Sequence, residues 1–243
     1  MRTLREIVYN SVIAIHRRTG KEWIPLKEIY EEVDKNRDVG INNGGASVRA
    51  ALETHSALSA AFSGTEEYIL KEKGSGLYKS IYYDQIKFIN NMNIGDVFTR
   101  DQLMAIFKIS GQSGIMKTNS LNCLVLTTSE ENGVYGDSLV ENGFITYTGE
   151  GLTGDQTITK NNKIIYESNE NELPMYLFSK DNNKKYIFEG QVKLCDEPYQ
   201  VVEKDIDGND RLVWKFPLSI VYPNDYNLNT APIGGDASGN VQD

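Results

Sequence analysis

Residues 133–151 read GVYGDSLVENGFITYTGEG. Two tyrosines, Tyr135 and Tyr147, stand twelve positions apart, each set among glycines. The run before Tyr147 is β-branched and aromatic and gives way to Gly149 and Gly151, the pattern of a strand running into a glycine turn. Residues 94–222 keep this character on both sides, with β-branched and aromatic stretches broken by Gly, Asn and Asp. That predicts a mostly-β domain with few helices. One short helix is expected from about Arg100 to Phe107, with Thr99 as its N-cap.

Upstream the pattern differs. Leu4, Ile7, Val8, Val12 and Ile15 fall at helical spacing. PLKEIYEEVDK predicts a second helix starting near Pro25, with Leu26, Ile29 and Val33 on one face. Asn42, Asn43, Gly44 and Gly45 form a turn and cap before a third helix, ASVRAALETHS. A β-hairpin is then expected around Lys73-Gly74-Ser75-Gly76. Three short helices followed by a hairpin make a winged helix-turn-helix pattern over residues 1–82. In that reading Asn42, Asn43, Ser47 and Arg49 are the polar contacts of the reading helix, and Lys71, Lys73 and Lys79 meet phosphates. The alternative is a small domain that binds protein or packs against its neighbour. Residues 83–93, including QIKFINNMN, read as a connecting helix or linker. Residues 224–243 are polar and Gly-rich, a tail or linker.

Composition narrows the function classes. The 243 residues are 40% hydrophobic, enough for real cores. No stretch is long and apolar enough for a membrane span, and the charged N-terminus is no signal peptide, so the expected location is cytoplasmic. Cys123 and Cys195 lack CxxC spacing, and His16 and His55 are the only histidines, so neither a metal site nor a cofactor is expected. The formal net charge is −9. It is uneven, +1 over residues 1–80 and −10 over the rest, which predicts weak non-specific affinity for DNA.

Several short motifs recur in order along the second region. They are Gly95-Asp96-Val97-Phe98 with Arg100, Gln112-Ser113-Gly114-Ile115, Gly133-Val134-Tyr135-Gly136-Asp137, Tyr147-Thr148-Gly149-Glu150-Gly151, Asp155-Gln156, Asn161 or Asn162 followed by Ser168, and Pro174 leading into Tyr186-Ile187-Phe188-Glu189-Gly190. Their order and spacing resemble the SRA (SET and RING associated) domains, especially the bacterial relatives in modification-dependent, HNH-type restriction endonucleases. The resemblance covers about residues 94–221. It implies an α+β chain in which the N-terminal winged helix-turn-helix precedes a mostly-β, SRA-like (PUA-like) barrel at 94–223.

The resemblance also implies a site. A base whose 5-substituent must be enclosed has to leave the duplex, which costs roughly a few kcal/mol. Stacking between aromatic faces offsets this, at roughly 1–3 kcal/mol per base. Tyr135 and Tyr147 match the family's two pocket tyrosines. A carboxylate suits the exocyclic amine of cytosine as acceptor. In animal members that Asp lies three residues after the first tyrosine. Here Ser138 stands there and Asp137 one residue earlier, so either Asp137 fills the role or Ser138 does so with backbone groups; Asp137 is preferred. Gln112 matches the glutamine that plant relatives insert into the vacated stack. Thr148 and Lys117, with Lys160 and Lys163, would contact phosphates. Asp96, Arg100, Asp155 and Gln156 read as a polar network that orders loops.

The implied partner is double-stranded DNA carrying 5-methyl- or 5-hydroxymethylcytosine. The chain is then the recognition part of a restriction endonuclease whose nuclease domain or subunit lies elsewhere, since no HNH constellation occurs here. The alternative is a complete, non-enzymatic DNA-binding regulator or protein-interaction module. A hydrolase is a third class, without a Ser-His-Asp or Cys-His set to support it.

Overall fold

The computed structural model describes residues 2–36, 44–63, 67–110, 113–129, 138–139 and 143–221. Helix α1 spans Leu4–Thr19 and opens with a reciprocal Thr3–Glu6 capping box. It closes on Gly20 in the left-handed region at φ 67°. Strand β1 (Ile24–Pro25), helix α2 (Leu26–Lys35) and helix α3 (Gly45–Glu53) follow. Strands β2 (Ile69–Lys71) and β3 (Leu77–Ser80) form the expected hairpin, and Gly74 and Gly76 take the positive φ values that its turn requires. Together these strands make a three-stranded antiparallel sheet in the order β1-β3-β2. The apolar faces anticipated from periodicity meet in one cluster that includes Ile7, Val12, Ile29, Val33, Val48, Leu52 and Tyr78.

Helix α4 (Tyr83–Asn90) is more than a connector. Its Ile86 and Ile89, together with Ile13 of α1, share a buried cluster with Phe98, Leu103, Phe107, Tyr176 and Phe178 of the second region. Two hydrogen bonds fasten the same seam: the Tyr9 hydroxyl donates to the Ser120 carbonyl (2.8 Å) and Arg17 donates to the Leu121 carbonyl (2.6 Å).

The second region contains β4 (Val97–Phe98), α5 (Arg100–Phe107), β5 (Ile115–Thr118), β6 (Cys123–Ser129), β7 (Ser138–Leu139) and β8 (Phe144–Thr148). It continues with α6 (Lys160–Tyr166), β9 (Met175–Lys180), β10 (Tyr186–Leu194), β11 (Tyr199–Lys204) and β12 (Asp210–Ile220). Helix α5 starts where anticipated, with Thr99 and Gln102 completing a capping box. The strands form one nine-stranded sheet in the order β5-β6-β9-β10-β12-β8-β7, with β11 added to β12 and β4 to β10. Among the described residues, β5 and β7 do not pair with each other, so the expected barrel is not closed by a ladder between them. All pairings are antiparallel except β6 with β9. That pair is buried on both faces. Cys123, Val125, Tyr176 and Phe178 point into the core shared with α1 and α4, while Leu124, Leu126, Met175 and Leu177 point into a second core. Alternation along each strand produces the split, and burial on both faces explains why CLVL and MYLF read as continuous apolar runs. Burial pushes the Cys123 thiol up to about 12, which makes it an inert core residue.

His16 links three elements of the N-terminal region. It is fully buried; Nδ1 lies 2.7 Å from the Lys21 carbonyl, and Nε2 accepts from the Ser80 amide at 3.0 Å. Only the neutral ring with its proton on Nδ1 satisfies both partners. Burial lowers its pKa below the ordinary 6.5, with Lys79 adding to the effect. The unfolded chain therefore binds a proton that the folded chain refuses. The stabilisation is complete above about pH 6.5 and declines as the pH falls below it. Urea unfolding at about pH 7.5 and about pH 5.5 should show a larger acid loss for the native chain than for His16→Gln. Equal losses would discount His16 as the cause.

Candidate nucleic-acid interface

Tyr147 sits near the end of β8, where register places it opposite Phe216 of β12. Its ring is buried, 3% exposed, in the second core beside Ile115, Leu126 and Phe216. The hydroxyl donates to the Gly114 carbonyl at 2.8 Å, with the Thr127 carbonyl 3.3 Å away. A Cβ on Gly114 would stand 3.1 Å from that hydroxyl, so glycine here permits the close approach. The Gln-x-Gly-Ile and Tyr-Thr-Gly motifs, about 33 residues apart in the chain, thus meet at one hydrogen bond.

A polar network holds the turn after Tyr147. Ser113 donates to Glu150 (2.7 Å), and Asn161 donates to the other oxygen of the same carboxylate (2.6 Å). Asn162 receives the Glu150 amide (2.7 Å) and donates back to the Glu150 carbonyl (3.1 Å). Gln156, 5% exposed, donates to the Gly149 carbonyl (2.6 Å) and receives the Trp214 amide (2.9 Å). Asp155 receives the Leu212 amide (2.7 Å), and Asp96 receives the Asn93 amide (2.8 Å). Of the four residues read as loop-ordering, these three take that part; Arg100 makes contacts within the protein and lines a cleft beside α5.

Thr148 departs from the expectation of a phosphate contact. It is 3% exposed, and its hydroxyl accepts from Lys215 Nζ at 2.8 Å. Lys215 is ion-paired in turn with Glu203 at 2.7 Å. The cause is register, since Thr148 lies opposite Lys215 on β12. Arg211, Val213 and Lys215 alternate inward along β12, so the period-two spacing of Arg-x-Val-x-Lys was a signal that these two cations are internal.

Tyr135, Asp137 and Gln112 lie outside the described residues, as do Asn42 and Asn43. Ser138 opens β7 and is registered opposite Thr146, next to Tyr147 in sequence. Ser113, the neighbour of Gln112, is within the network just described.

In the N-terminal region three of the anticipated DNA contacts, Arg49 of the reading helix and Lys71 and Lys79 of the wing, are ion-paired. Arg49 Nε and Lys71 Nζ both lie 2.9 Å from Glu53 Oε1. Their hydrogen bonds hold that carboxyl down at about 2. Lys79 pairs with Glu22 at 2.7 Å and stands over the Trp23 ring at 4.9 Å. Near-equal numbers of acids and bases in this region allow such pairing, so Arg49, Lys71 and Lys79 each already face an acid. Ser47 is half-buried on α3, and Lys73 is exposed at the hairpin turn. Lys117 is exposed on the edge strand β5, and Lys163 pairs with Glu167 at 3.4 Å. Among the described residues, no group of three or more His, Cys, Asp or Glu side chains could hold a metal, and no helix is long and apolar enough to cross a membrane.

The model of the ScoMcrA-like SRA domain family matches residues 94–227. The chain belongs to this family. The match takes in both motifs joined by the Tyr147 hydroxyl, together with α5 and every strand from β4 onward. The sulfur binding domain and SRA domain of ScoMcrA, solved with phosphorothioated DNA, is 14% identical with a TM-score of 0.54. That likeness covers 92% of this chain and 89% of that one, so the shared fold extends into the N-terminal region. The Type IV phosphorothioation-dependent restriction endonuclease ScoMcrA is 13% identical with a TM-score of 0.55 over 95% of this chain, which spans only 54% of the endonuclease. The SRA domain of SUVH5, bound to fully hydroxymethylated CG DNA, is 24% identical over 54% of this chain and 90% of its own, with a TM-score of 0.42. No curated protein matches the chain.

The Tyr147 anchor is testable by itself. Tyr147→Phe keeps the ring and removes the hydroxyl, leaving the Gly114 carbonyl without this donor. The loss expected in chemical denaturation is about 1–3 kcal/mol. Tyr166→Phe, on an exposed ring, should stay within about 0.5 kcal/mol of the native chain.

Proposed function

We propose that this SRA-family chain recognises modified cytosine in double-stranded DNA by extruding the base. Tyr135 stacks on it, Asp137 with Ser138 faces its amine, and Gln112 enters the vacated stack; Tyr147, read from the sequence as the second stacking ring, is buried against Ile115, Leu126 and Phe216 and instead anchors the pocket wall. The observation that carries this reading is the bond from Tyr147 to the Gly114 carbonyl. It holds the Tyr-Thr-Gly strand against Gly114 of the Gln-x-Gly-Ile motif, so the two motifs that the reading assigns to one site are joined. The register of Ser138 beside Thr146 supports placing the other half of the pocket next to Tyr147.

The N-terminal module, residues 1–82, we read as a winged helix on its element order and its β1-β3-β2 sheet, joined through residues 83–93 to the recognition domain at 94–223. Because Arg49 and Lys71 already share Glu53, its role in this reading is to brace the recognition domain, with Lys73 and Ser47 left as polar contacts. The chain would serve as the recognition part of a modification-dependent restriction endonuclease, its nuclease carried elsewhere.

The test is a binding titration at fixed salt on matched duplexes carrying cytosine, 5-methylcytosine or 5-hydroxymethylcytosine. The native chain should prefer a modified duplex. Tyr135→Ala should lose roughly 1–3 kcal/mol of that binding, about tenfold to a hundredfold, with non-specific affinity unchanged. Asp137→Asn should erode the preference for cytosine more than total binding, because an amide can present a donor where an acceptor is required. Equal affinity for all three duplexes would sink the base-extrusion reading.

A further inference from the structure

The apolar core that holds Tyr147 ends in a polar layer. Leu124 and Leu126 of β6 and Met175 and Leu177 of β9 point into that core. The next residues of the same alternation are Thr128 and Ser179, which the parallel ladder pairs with each other. Strand β10 adds Glu189. Phe188 is registered on Phe178 and Gly190 on Leu177, so Glu189 is one extra residue at a bulge. A bulge re-aims a side chain. Here the carboxylate turns to the Tyr147 side of the sheet, where the Ser179 hydroxyl donates to its Oε1 at 2.5 Å. Thr128, Ser179 and Glu189 are all half-buried. The layer adjoins the Tyr147 anchor, because the Thr127 carbonyl, 3.3 Å from the Tyr147 hydroxyl, belongs to the peptide that leads into Thr128. In sequence, Tyr135 and Asp137 come shortly after β6. Glu189 differs from the other acids near the site. Both carboxylate oxygens of Glu150 are taken, by Ser113 and Asn161, and Glu203 holds Lys215. Among the described residues, no lysine or arginine pairs with Glu189, and its Oε2 accepts no hydrogen bond. A half-buried carboxylate oxygen is costly until something donates to it.

An ionised carboxylate is an acceptor only, so its ligand must bring a donor. Backbone phosphates bring none and are repelled, whereas the exocyclic amine of a base brings two hydrogens. The reading above gives one hydrogen of the cytosine amine to Asp137 with Ser138. We propose that Glu189, set in place by Ser179, accepts the other, and is a specificity-determining residue for the extruded base. This rests on the base-extrusion reading and deepens it by naming what separates cytosine from thymine. Thymine carries the same 5-methyl group as 5-methylcytosine, so a pocket shaped for the methyl group admits both. They differ at position 4, where thymine presents a carbonyl oxygen in place of the amine. Glu189 would then lose a charge-assisted hydrogen bond and meet an oxygen instead, a repulsive element against the wrong base. The Ser179 bond occupies Oε1 and leaves Oε2 as the oxygen on offer, so little freedom is lost when the amine arrives.

The experiment measures affinity at fixed salt for duplexes that differ only in the base opposite one guanine, 5-methylcytosine or thymine. The proteins are the native chain, Glu189→Gln and Ser179→Ala. Glu189→Gln keeps the side chain's size and an oxygen for Ser179, and its amide can donate to the thymine carbonyl. The ratio of the two affinities, 5-methylcytosine over thymine, should fall about tenfold to a hundredfold in this variant. Removing a negative charge strengthens attraction to both duplexes and cancels in the ratio. The easier opening of the mismatched thymine is common to both proteins and cancels between them. Ser179→Ala should lower the ratio in the same direction by a smaller factor, because the carboxylate is no longer fixed. An unchanged ratio in Glu189→Gln overturns the proposal; if that variant does not fold, an unchanged ratio in Ser179→Ala does so. A further arm needs only the native chain. A duplex carrying 5-methylpyrimidin-2-one, which is 5-methylcytosine without its amine, should bind more weakly than the 5-methylcytosine duplex, and equal binding also overturns the proposal. Base extrusion is judged by a different number, the native preference among cytosine, 5-methylcytosine and 5-hydroxymethylcytosine. If that preference is absent, the extrusion reading falls and takes Glu189 with it. If it is present while Glu189→Gln keeps the native ratio, only the role of Glu189 is lost.

Discussion

The parallel pairing of β6 with β9 is the constraint on which the remaining structure depends. Both strands are buried on both faces, so each successive side chain commits to one of two cores. The face that carries Val125, Tyr176 and Phe178 receives α5 and, through Ile13, Ile86 and Ile89, the N-terminal region. The face that carries Leu124, Leu126 and Leu177 receives Tyr147 and Phe216. Each fully buried Leu, Val or Phe in the pair contributes roughly 1.5–3 kcal/mol. A one-residue slip would exchange every side chain between the cores and disrupt both at once. The site and the N-terminal module are therefore referenced to the same two strands from opposite sides.

That shared reference has a mechanical consequence. Helix α1 is tied to the turn before β6 by Tyr9 and Arg17. Strand β6 ends at the residues that accept the Tyr147 hydroxyl and line the neighbouring cleft. Force applied to the N-terminal region passes through one continuous strand to the wall of the candidate pocket. The Glu150–Ser113–Asn161 network locks the other side of that wall. Extruding a base requires a rigid receiver, because freedom in the pocket would subtract from the stacking energy that has to offset the cost of extrusion.

Local chemistry was legible where local rules decide it. The hairpin at Gly74 and Gly76 and the capped start of α5 at Thr99 were readable because turn and cap geometry depends on neighbours within a few positions. The order of motifs sufficed for the family. Contacts across long separations were hidden. Thr148 was read as a phosphate ligand because nothing near it shows that Lys215, sixty-seven residues later, is its ladder partner. Lys71 was read as a wing cation because Glu53 looks like an ordinary helix surface residue until the hairpin folds onto α3. Helix α6 went unread because its seven residues, KNNKIIY, are too short and polar for a periodic signal.

Electrostatics joins these points. A chain with an excess of acids cannot grip DNA by a broad basic surface, and here several of its cations are already ion-paired, Arg49 and Lys71 with Glu53, Arg18 with Glu32, Lys215 with Glu203. Such a protein gains little from non-specific phosphate attraction. Under the proposed function, its affinity would come from a few placed contacts and from the stacking available to an extruded base. In that reading weak general attraction would serve recognition: with little binding to ordinary duplex, the energy gained at a modified base would dominate the difference between sites. The ion pairs would support this selectivity as well as the fold, because each acid paired with a lysine or arginine offsets a charge that would otherwise attract any sequence alike.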